Sequence, residues 1–388
     1  MSAAPGRRPR VCIVVAAPLT LKAFMLGHAK ALTGIADVTL VANFLPEDAS
    51  YPWPEGIARV AIPIVRPISP WADFLALIAL LRLFRQERFD LVHSITPKAG
   101  LLAMLAARMG GVPLRLHTFT GQVWVTRTGL MRALLKSTDR LVAWLATHAL
   151  ADSGSQREFL IAENIVAATK STVLAKGSIC GVDTVRFRPD AAARERIRAG
   201  LGVPSAAVLF LYLGRINRDK GLLDLAHAFA EAGGDHADLH LLLVGPDEAL
   251  LGPELEVAAA GCAGRLHRVD YTDRPEEYFA AADVFCLPSY REGFGTTIIE
   301  AAAAGIPAIG SNIYGITDAV VEGETGLMFD AGNTRQLAQS MRTLAGDAGL
   351  RVRMGQKAKV RAERDFSATV VSAALVEYYR SLMAQRAD

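Results

Sequence analysis

The stretch SYREGFGTTIIE, from Ser289 to Glu300, places two carboxylates, Glu292 and Glu300, on either side of a Gly-Phe-Gly turn. Gly293 and Gly295 permit unusual backbone angles and close approach by a ligand. A helix opening near Thr296 would present free amides together with the hydroxyls of Thr296 and Thr297, a ready site for phosphate. Glu300 then falls about one turn into that helix, roughly 6 Å along its axis from Thr296. Carboxylates accept hydrogen bonds from hydroxyl-rich groups. The pair can therefore grip opposite ends of one ligand whose phosphates lie at the amide end between them. A hexose, a diphosphate and a ribose in a row, a nucleotide sugar, answer that description.

Such a turn needs a strand before it and a helix after it. DVFCLPS reads as the strand and TTIIEAAAAG as the helix. The pattern recurs along the chain. RVCIVVA, DVTLVAN, DLVHSI and PLRLHTF read as strands of a first half, with helical stretches between them. After the polar, strand-free segment VRFRPDAAARERIRAGLGVPS the alternation restarts with AVLFLYLG and LHLLLVGP. Apolar strands separated by helices predict parallel sheets covered on both faces. The expected fold class is α/β, with two doubly wound Rossmann-like domains facing a cleft, over residues 1–190 and 191–368. Ligands in such sheets bind at the carboxyl ends of the strands.

Composition narrows the function classes. The chain has 388 residues, 51% hydrophobic and 21% charged, with a net charge of 42 − 39 = +3. That balance is too mild for a nucleic-acid partner. The cysteines at 12, 180, 262 and 286 form no CxxC pair, so neither a zinc site nor a disulfide framework is indicated, and a reducing cytosol fits. No apolar run has the length of a membrane span. GRRPR followed by VCIVVAA has the charge order of a signal peptide, but the apolar run is short and leads into a helical pattern, which favours a buried first strand. VVAAPLTLKAFM also lacks the G-x-G-x-x-G turn of a dinucleotide-binding dehydrogenase. In SITPKAGLL, Lys98 and Gly100 fall at a strand-to-helix turn, where a lysine suits an anionic acceptor. TRTGLMRALLKSTDRLVAWLATHAL reads as one amphipathic helix. Arg132, Lys136 and Arg140 form one stripe, Leu130, Leu134, Leu141 and Leu145 the other, and Trp144 stands at the border. That pattern fits an anionic bilayer surface met by the basic stripe, or an ordinary helix with its leucines in the core.

REGFGTTIIEAAAAGIP resembles the Glu-x7-Glu signature of retaining glycosyltransferases of the GT-B fold and the family-4 type. LGRINRDKG, VVEGETGLMFDAGN and GSICGVDTVRFRP carry the resemblance over most of the chain, closest to enzymes that extend lipid-linked sugars for bacterial surface polysaccharides. It implies that Glu292 holds hydroxyls of the donor sugar and that the backbone of Gly293, Phe294 and Gly295 lines that sugar. By the same likeness Glu300 binds ribose hydroxyls, and Arg215 and Lys220 neutralise the diphosphate. His117 would approach the donor from the first domain, Tyr271 would fall near the nucleotide base, and a last helix within 369–388 would cross back onto the first domain. One departure stands out. Pro18 and Thr20 replace the family's glycine-rich first turn and make Lys22 available beside the acceptor. No Asp-x-Asp occurs, so no metal or other cofactor is expected, and Arg215, Lys220 and helix amides would stand where Mg²⁺ otherwise would.

The resemblance implies a cytoplasmic enzyme, peripheral at the inner face of the membrane. It would move a hexose or N-acetylhexosamine from a nucleotide sugar, UDP-linked, onto a polyprenyl-diphosphate-linked glycan. A UDP-sugar epimerase on the same fold and a non-catalytic scaffold are the rival readings. His93 is expected to be structural.

Overall fold

The computed structural model describes residues 7–385 apart from 66, 236 and 237. It contains two compact units. One runs to Cys180 and takes in the chain again from Thr369; the other spans Gly181–Ala368.

The strands of the first unit are β1 (Arg10–Val14), β2 (Asp37–Ala42), β3 (Ala58–Ala61), β4 (Leu91–Ile95), β5 (Leu114–Phe119), β6 (His148–Ala151) and β7 (Ser171–Val173). They form one parallel sheet in the order β3-β2-β1-β4-β5-β6-β7. β1 is paired on both sides, which accounts for its unbroken apolar sequence. The helices are α1 (Pro18–Thr20), continued by a π turn over Leu21–Met25, α2 (Leu26–Leu32), α3 (Pro70–Glu87), α4 (Pro97–Met109), α5 (Gly129–Leu145) and α6 (Gly154–Ala162). Buried residues of α3 to α6 share one core on one face of the sheet.

The second unit holds β8 (Val208–Leu213), β9 (Leu239–Val244), β10 (Leu266–Val269), β11 (Val284–Leu287), β12 (Ala308–Ser311) and β13 (Gly326–Phe329). These too are parallel, in the order β10-β9-β8-β11-β12-β13. Its helices are α7 (Ala191–Leu201), α8 (Leu222–Asp235), α9 (Gly252–Ala258), α10 (Pro275–Ala281), α11 (Thr296–Ala303), α12 (Ile316–Ala319), α13 (Thr334–Gly346) and α14 (Ala348–Asp365). Both sheets reverse their strand order between the first and fourth strands, β1/β4 and β8/β11. Loops at the carboxyl ends there open a crevice suited to ligands.

The last helix, α15 (Ala368–Ala384), belongs to the first unit. Val371, Leu375, Tyr379 and Leu382 recur at helical spacing and enter the core that covers the other sheet face. Tyr379 bonds to Nδ1 of His93 at 2.7 Å, while Nε2 of His93 meets Thr118 Oγ1 at 2.7 Å. With both ring nitrogens engaged and burial pushing its pKa down to about 3, His93 is a neutral structural residue.

Three sequence expectations are corrected. The boundary falls at Cys180/Gly181 and not at 190/191. Gly181, at φ 69°, lies so close to Phe366 O that a Cβ there would stand 2.7 Å away, which ties this segment to the second unit. The segment read as one helix from 126 to 150 is a helix to Leu145 and then strand β6. Thr147 N donates to Arg115 O at 2.7 Å and begins the sheet pairing. The stripes of α5 are also reversed. Lys136 and Arg132 pair with Glu163, and Arg140 donates to the carbonyls of Glu163 and Asn164. Leu130, Leu134 and Leu141 face outward, and only Leu145 of the four leucines is buried. The buried Asp139, which accepts from Trp124 Nε1 at 2.8 Å, fixes this rotation.

Tyr379→Ala should lower the unfolding free energy by about 3–5 kcal/mol, as a large buried ring is lost. Tyr379→Phe should lower it by ~1–3 kcal/mol, because the Nδ1 of His93 loses its partner. Chemical denaturation of the two variants checks both values, and the smaller loss should belong to Phe.

Candidate functional site

Two loops at the carboxyl edge of the second sheet carry the Glu-x7-Glu and Arg-Lys residues. The first follows β8. Buried Tyr212 donates its hydroxyl to Arg215 O at 2.9 Å and holds the loop from below. The loop then makes a short 3-10 turn over Arg218–Lys220 and closes on Gly221 at φ 67°. A Cβ at 221 would lie 2.1 Å from Pro288 O, so only glycine can follow Lys220 here.

The second loop leaves β11 directly against the first. Tyr290 N donates to Asp219 O at 2.9 Å, and Arg291 pairs with Asp219 at 3.2 Å. Lys220 Nζ donates to Glu292 Oε1 at 2.6 Å, and Ser289 Oγ donates to the same oxygen at 2.7 Å. Lys220 and Glu292 are thus brought together as an ion pair. An ammonium has three donors and a carboxylate two oxygens, so each keeps capacity for a ligand. Arg215 pairs with Glu248 at 3.0 Å, with both side chains largely exposed. Such a pair is weak and is easily exchanged for a phosphate.

Gly293, Phe294 and Gly295 are buried. The Phe294 ring points into the core against Phe366, 5.3 Å between centroids, so the loop's backbone is what remains to meet a ligand. From the far side, Gly315 at φ 85° presses on the loop; a Cβ there would stand 2.7 Å from Gly293 O. No side chain caps α11, and Thr296 and Thr297 in its first turn are half-buried.

Glu300 lies one turn further on. Its carboxyl makes no hydrogen bond or ion pair among the described residues. Burial pushes its pKa up to about 8, Arg186 opposes that rise and Glu276 adds to it. The residue retains some solvent contact, so a ligand can reach a carboxyl that the protein leaves unpartnered. Tyr271 stands 71% exposed beyond the end of the edge strand β10, two strands away from β8.

In the first unit His117 is buried on β5, with Nδ1 2.8 Å from Ser94 Oγ. Burial pushes its pKa down to about 3, so the ring is neutral. Gly100 is the complement of this ring: a Cβ there would lie 2.4 Å from His117 Cε1. The two lysines offered to an acceptor are both engaged. Lys22 pairs with Asp48 at 2.7 Å and lies over the Tyr51 ring at 4.5 Å. Lys98 pairs with Asp73 at 2.6 Å and donates to Pro67 O. Neither is the free cation that its place in the sequence suggests.

The sequence reading missed Tyr212, Ser289 and Gly315, which position the others. Ser289 is a small hydroxyl three residues before Glu292, and that spacing was the signal available. It also missed Thr96, the residue between β4 and α4, which holds φ 72° with a buried hydroxyl lacking a partner. For a β-branched residue that backbone is strained, and strain of this kind clusters at functional sites.

Residues 193–361 match the family model for glycosyl transferases group 1, and residues 24–177 match that for a glycosyl transferase 4-like domain. The chain is 30% identical over 328 residues to the capsular polysaccharide biosynthesis glycosyltransferase CapM of Staphylococcus aureus, covering 84% of this chain and 86% of the relative. It is 30% identical over 320 residues to a D-inositol 3-phosphate glycosyltransferase of Streptomyces avermitilis (78% and 68%). It is 28% identical over 256 residues to the UDP-Gal:alpha-D-GlcNAc-diphosphoundecaprenol alpha-1,3-galactosyltransferase of Escherichia coli (65% and 65%). Sucrose-phosphate synthase from Thermosynechococcus elongatus shares the fold, with a TM-score of 0.82 at 22% identity over 97% of this chain and 100% of that one.

The raised pKa of Glu300 predicts a pH-dependent stability. Between about pH 4.5 and 8 the unfolded chain releases this proton while the folded chain keeps it. Stability is therefore undiminished below that window and falls as pH rises through it. Glu300→Gln should raise Tm at pH 8 and leave it nearly unchanged at pH 4.5, in the absence of ligand. An equal shift at both pH values would show that Glu300 is ionised in the free protein.

Proposed function

The chain belongs to the group 1 glycosyl transferases, and from that premise we propose that it moves a hexose or N-acetylhexosamine from a UDP-sugar onto a lipid-linked glycan in polysaccharide biosynthesis, with retention. The observation that carries the reading is the joined pair of loops, in which Lys220, Glu292 and Ser289 converge beside the uncapped end of α11.

The proposed chemistry follows from what each group can do. Breaking the bond between sugar and diphosphate builds negative charge on the leaving phosphate, and fixed donors stabilise it. Lys220, Arg215 released from Glu248, and the first amides of α11 are those donors in this proposal. Glu292 keeps an oxygen for sugar hydroxyls while Lys220 and Ser289 hold the other. Glu300 meets the ribose hydroxyls. The leaving diphosphate helps to deprotonate the acceptor on the face it departs from. The E. coli relative, named for a diphosphoundecaprenol acceptor, supports the lipid-linked choice. The inositol-phosphate relatives support a second reading, a soluble phosphorylated polyol as acceptor, which an acceptor screen separates. No helix among the described residues is long and apolar enough to cross a membrane. The proposed location, peripheral at the inner face of the cytoplasmic membrane, goes with the lipid-linked acceptor of this reading.

Calorimetry with UDP and with intact UDP-sugar tests the division of labour between the glutamates. Glu300→Ala should weaken both ligands, and Glu292→Ala should spare UDP and weaken only the donor, by ~1.5–3 kcal/mol. Equal losses for both ligands at Glu292 would sink its assignment to the sugar.

An assay on lipid-linked acceptors in EDTA, with NMR of the first-formed product, tests the charge chemistry. Activity should persist, the donor's anomeric configuration should be kept, and Lys220→Ala should lower kcat by ~100-fold or more. Loss in EDTA restored by Mg²⁺, or an inverted anomeric centre, would overturn the mechanism.

A further inference from the structure

The outward face of α5 carries a stripe of large apolar side chains. Leu130, Leu134, Leu141 and Trp144 lie on one stripe at alternating spacings of four and three, with Ser137 filling the remaining place. Leu130 is 86% exposed and Trp144 70%. In the same helical layer, Trp71 and Phe74 stand exposed in the first turns of α3 with their rings stacked 6.0 Å apart. A row of large apolar groups of this kind marks an interaction surface.

The surrounding charges select what covers it. Arg127, Arg132 and Arg140 are exposed beside the stripe, Arg132 with Glu163 4.0 Å away and Arg140 donating to the carbonyls of Glu163 and Asn164 on its inner side. The one carboxylate of the helix, Asp139, is buried against Trp124. A second copy of the chain would set arginine against arginine, with no carboxylate on the exposed face of the helix to pair with either. An anionic lipid surface answers both features, taking leucine and tryptophan into the acyl boundary and arginine at the phosphates.

We infer that the leucine–tryptophan face of α5 is the membrane-docking surface of the protein, inserted into the interface of an anionic bilayer, with Arg127 at the headgroups and the exposed edge of Arg140 beside them while its Nε and Nη2 stay on the carbonyls of Asn164 and Glu163. The inference rests on the reading of a lipid-borne acceptor for its purpose. It reverses the sequence expectation, because the leucines enter the lipid while Lys136 stays bound to Glu163 and holds the helix on the protein.

Cosedimentation with phosphatidylglycerol–phosphatidylcholine vesicles, with neither donor nor acceptor present, tests it. The full chain should bind. The double variant Leu134→Gln/Leu141→Gln, altered only at exposed positions, should bind at least ~10-fold more weakly. Its UDP affinity should be unchanged. Raising salt should weaken binding of the wild type without abolishing it. Vesicles should shift the tryptophan emission to the blue, and Trp144→Phe should remove most of that shift. Wild-type protein left in the supernatant, or a double variant that binds undiminished, would overturn the inference. So would a wild-type dimer in sedimentation velocity that the double variant dissolves, since the face would then be covered by a second copy. Vesicle binding with no turnover of any lipid-linked acceptor would remove the acceptor reading and leave the docking surface standing.

Discussion

The approach of Gly221 to the carbonyl of Pro288 is the constraint on which the rest of the second unit's site depends. It lets the loop after β8 lie directly on the loop after β11, with no side chain between them. Asp219 then reaches the backbone of Tyr290 and the guanidinium of Arg291, and Lys220 reaches Glu292. A single methyl group at 221 would separate the loops and break that convergence. The two sequence motifs that look independent along the chain are therefore one object in space.

Burial decides how the remaining groups can act. His117 and Glu300 are both titratable and burial favours the neutral form of both, pushing the pKa of the first down and of the second up. Neither is prepared as an ion before a ligand arrives. The charged groups are instead held in pairs, Lys220 with Glu292 and Arg215 with Glu248. Exchange of partners, carboxylate for phosphate and water for hydroxyl, is how this site would respond to a nucleotide sugar. The exposed Arg215 pair would give way before the more enclosed Lys220 pair.

Much of the fold was legible because parallel strands buried on both faces announce themselves as short apolar runs. β1, β2, β4, β5, β8, β9, β11 and β12 all carry that mark. β3, β6 and β13 do not: ARVA, HALA and GLMF are too short and too poor in β-branched residues to stand out, and their pairing depends on neighbours far along the chain. Candidate site residues were legible by type and by turn chemistry. Their partners were not. Lys22 and Lys98 look free in the sequence because Asp48 and Asp73 stand 26 and 25 positions away. The rotation of α5 was hidden for the same reason, since periodicity shows that a helix has two faces, whereas Asp139 and Glu163 determine which one turns inward.

The chain enters the second unit at Gly181 and leaves it at Ala368, and these two points touch. Val182 N donates to Phe366 O, and Ala368 N donates to Val182 O, each at 2.8 Å. In topological terms the second unit is an insertion, a closed cassette spliced into a host whose last helix is supplied only after the insert is complete. A nascent chain must therefore finish the cassette before α15 can close the host over His93. The same adjacency makes the cassette a natural unit of exchange, because a foreign domain whose ends meet in this way could replace it without disturbing the host's sheet.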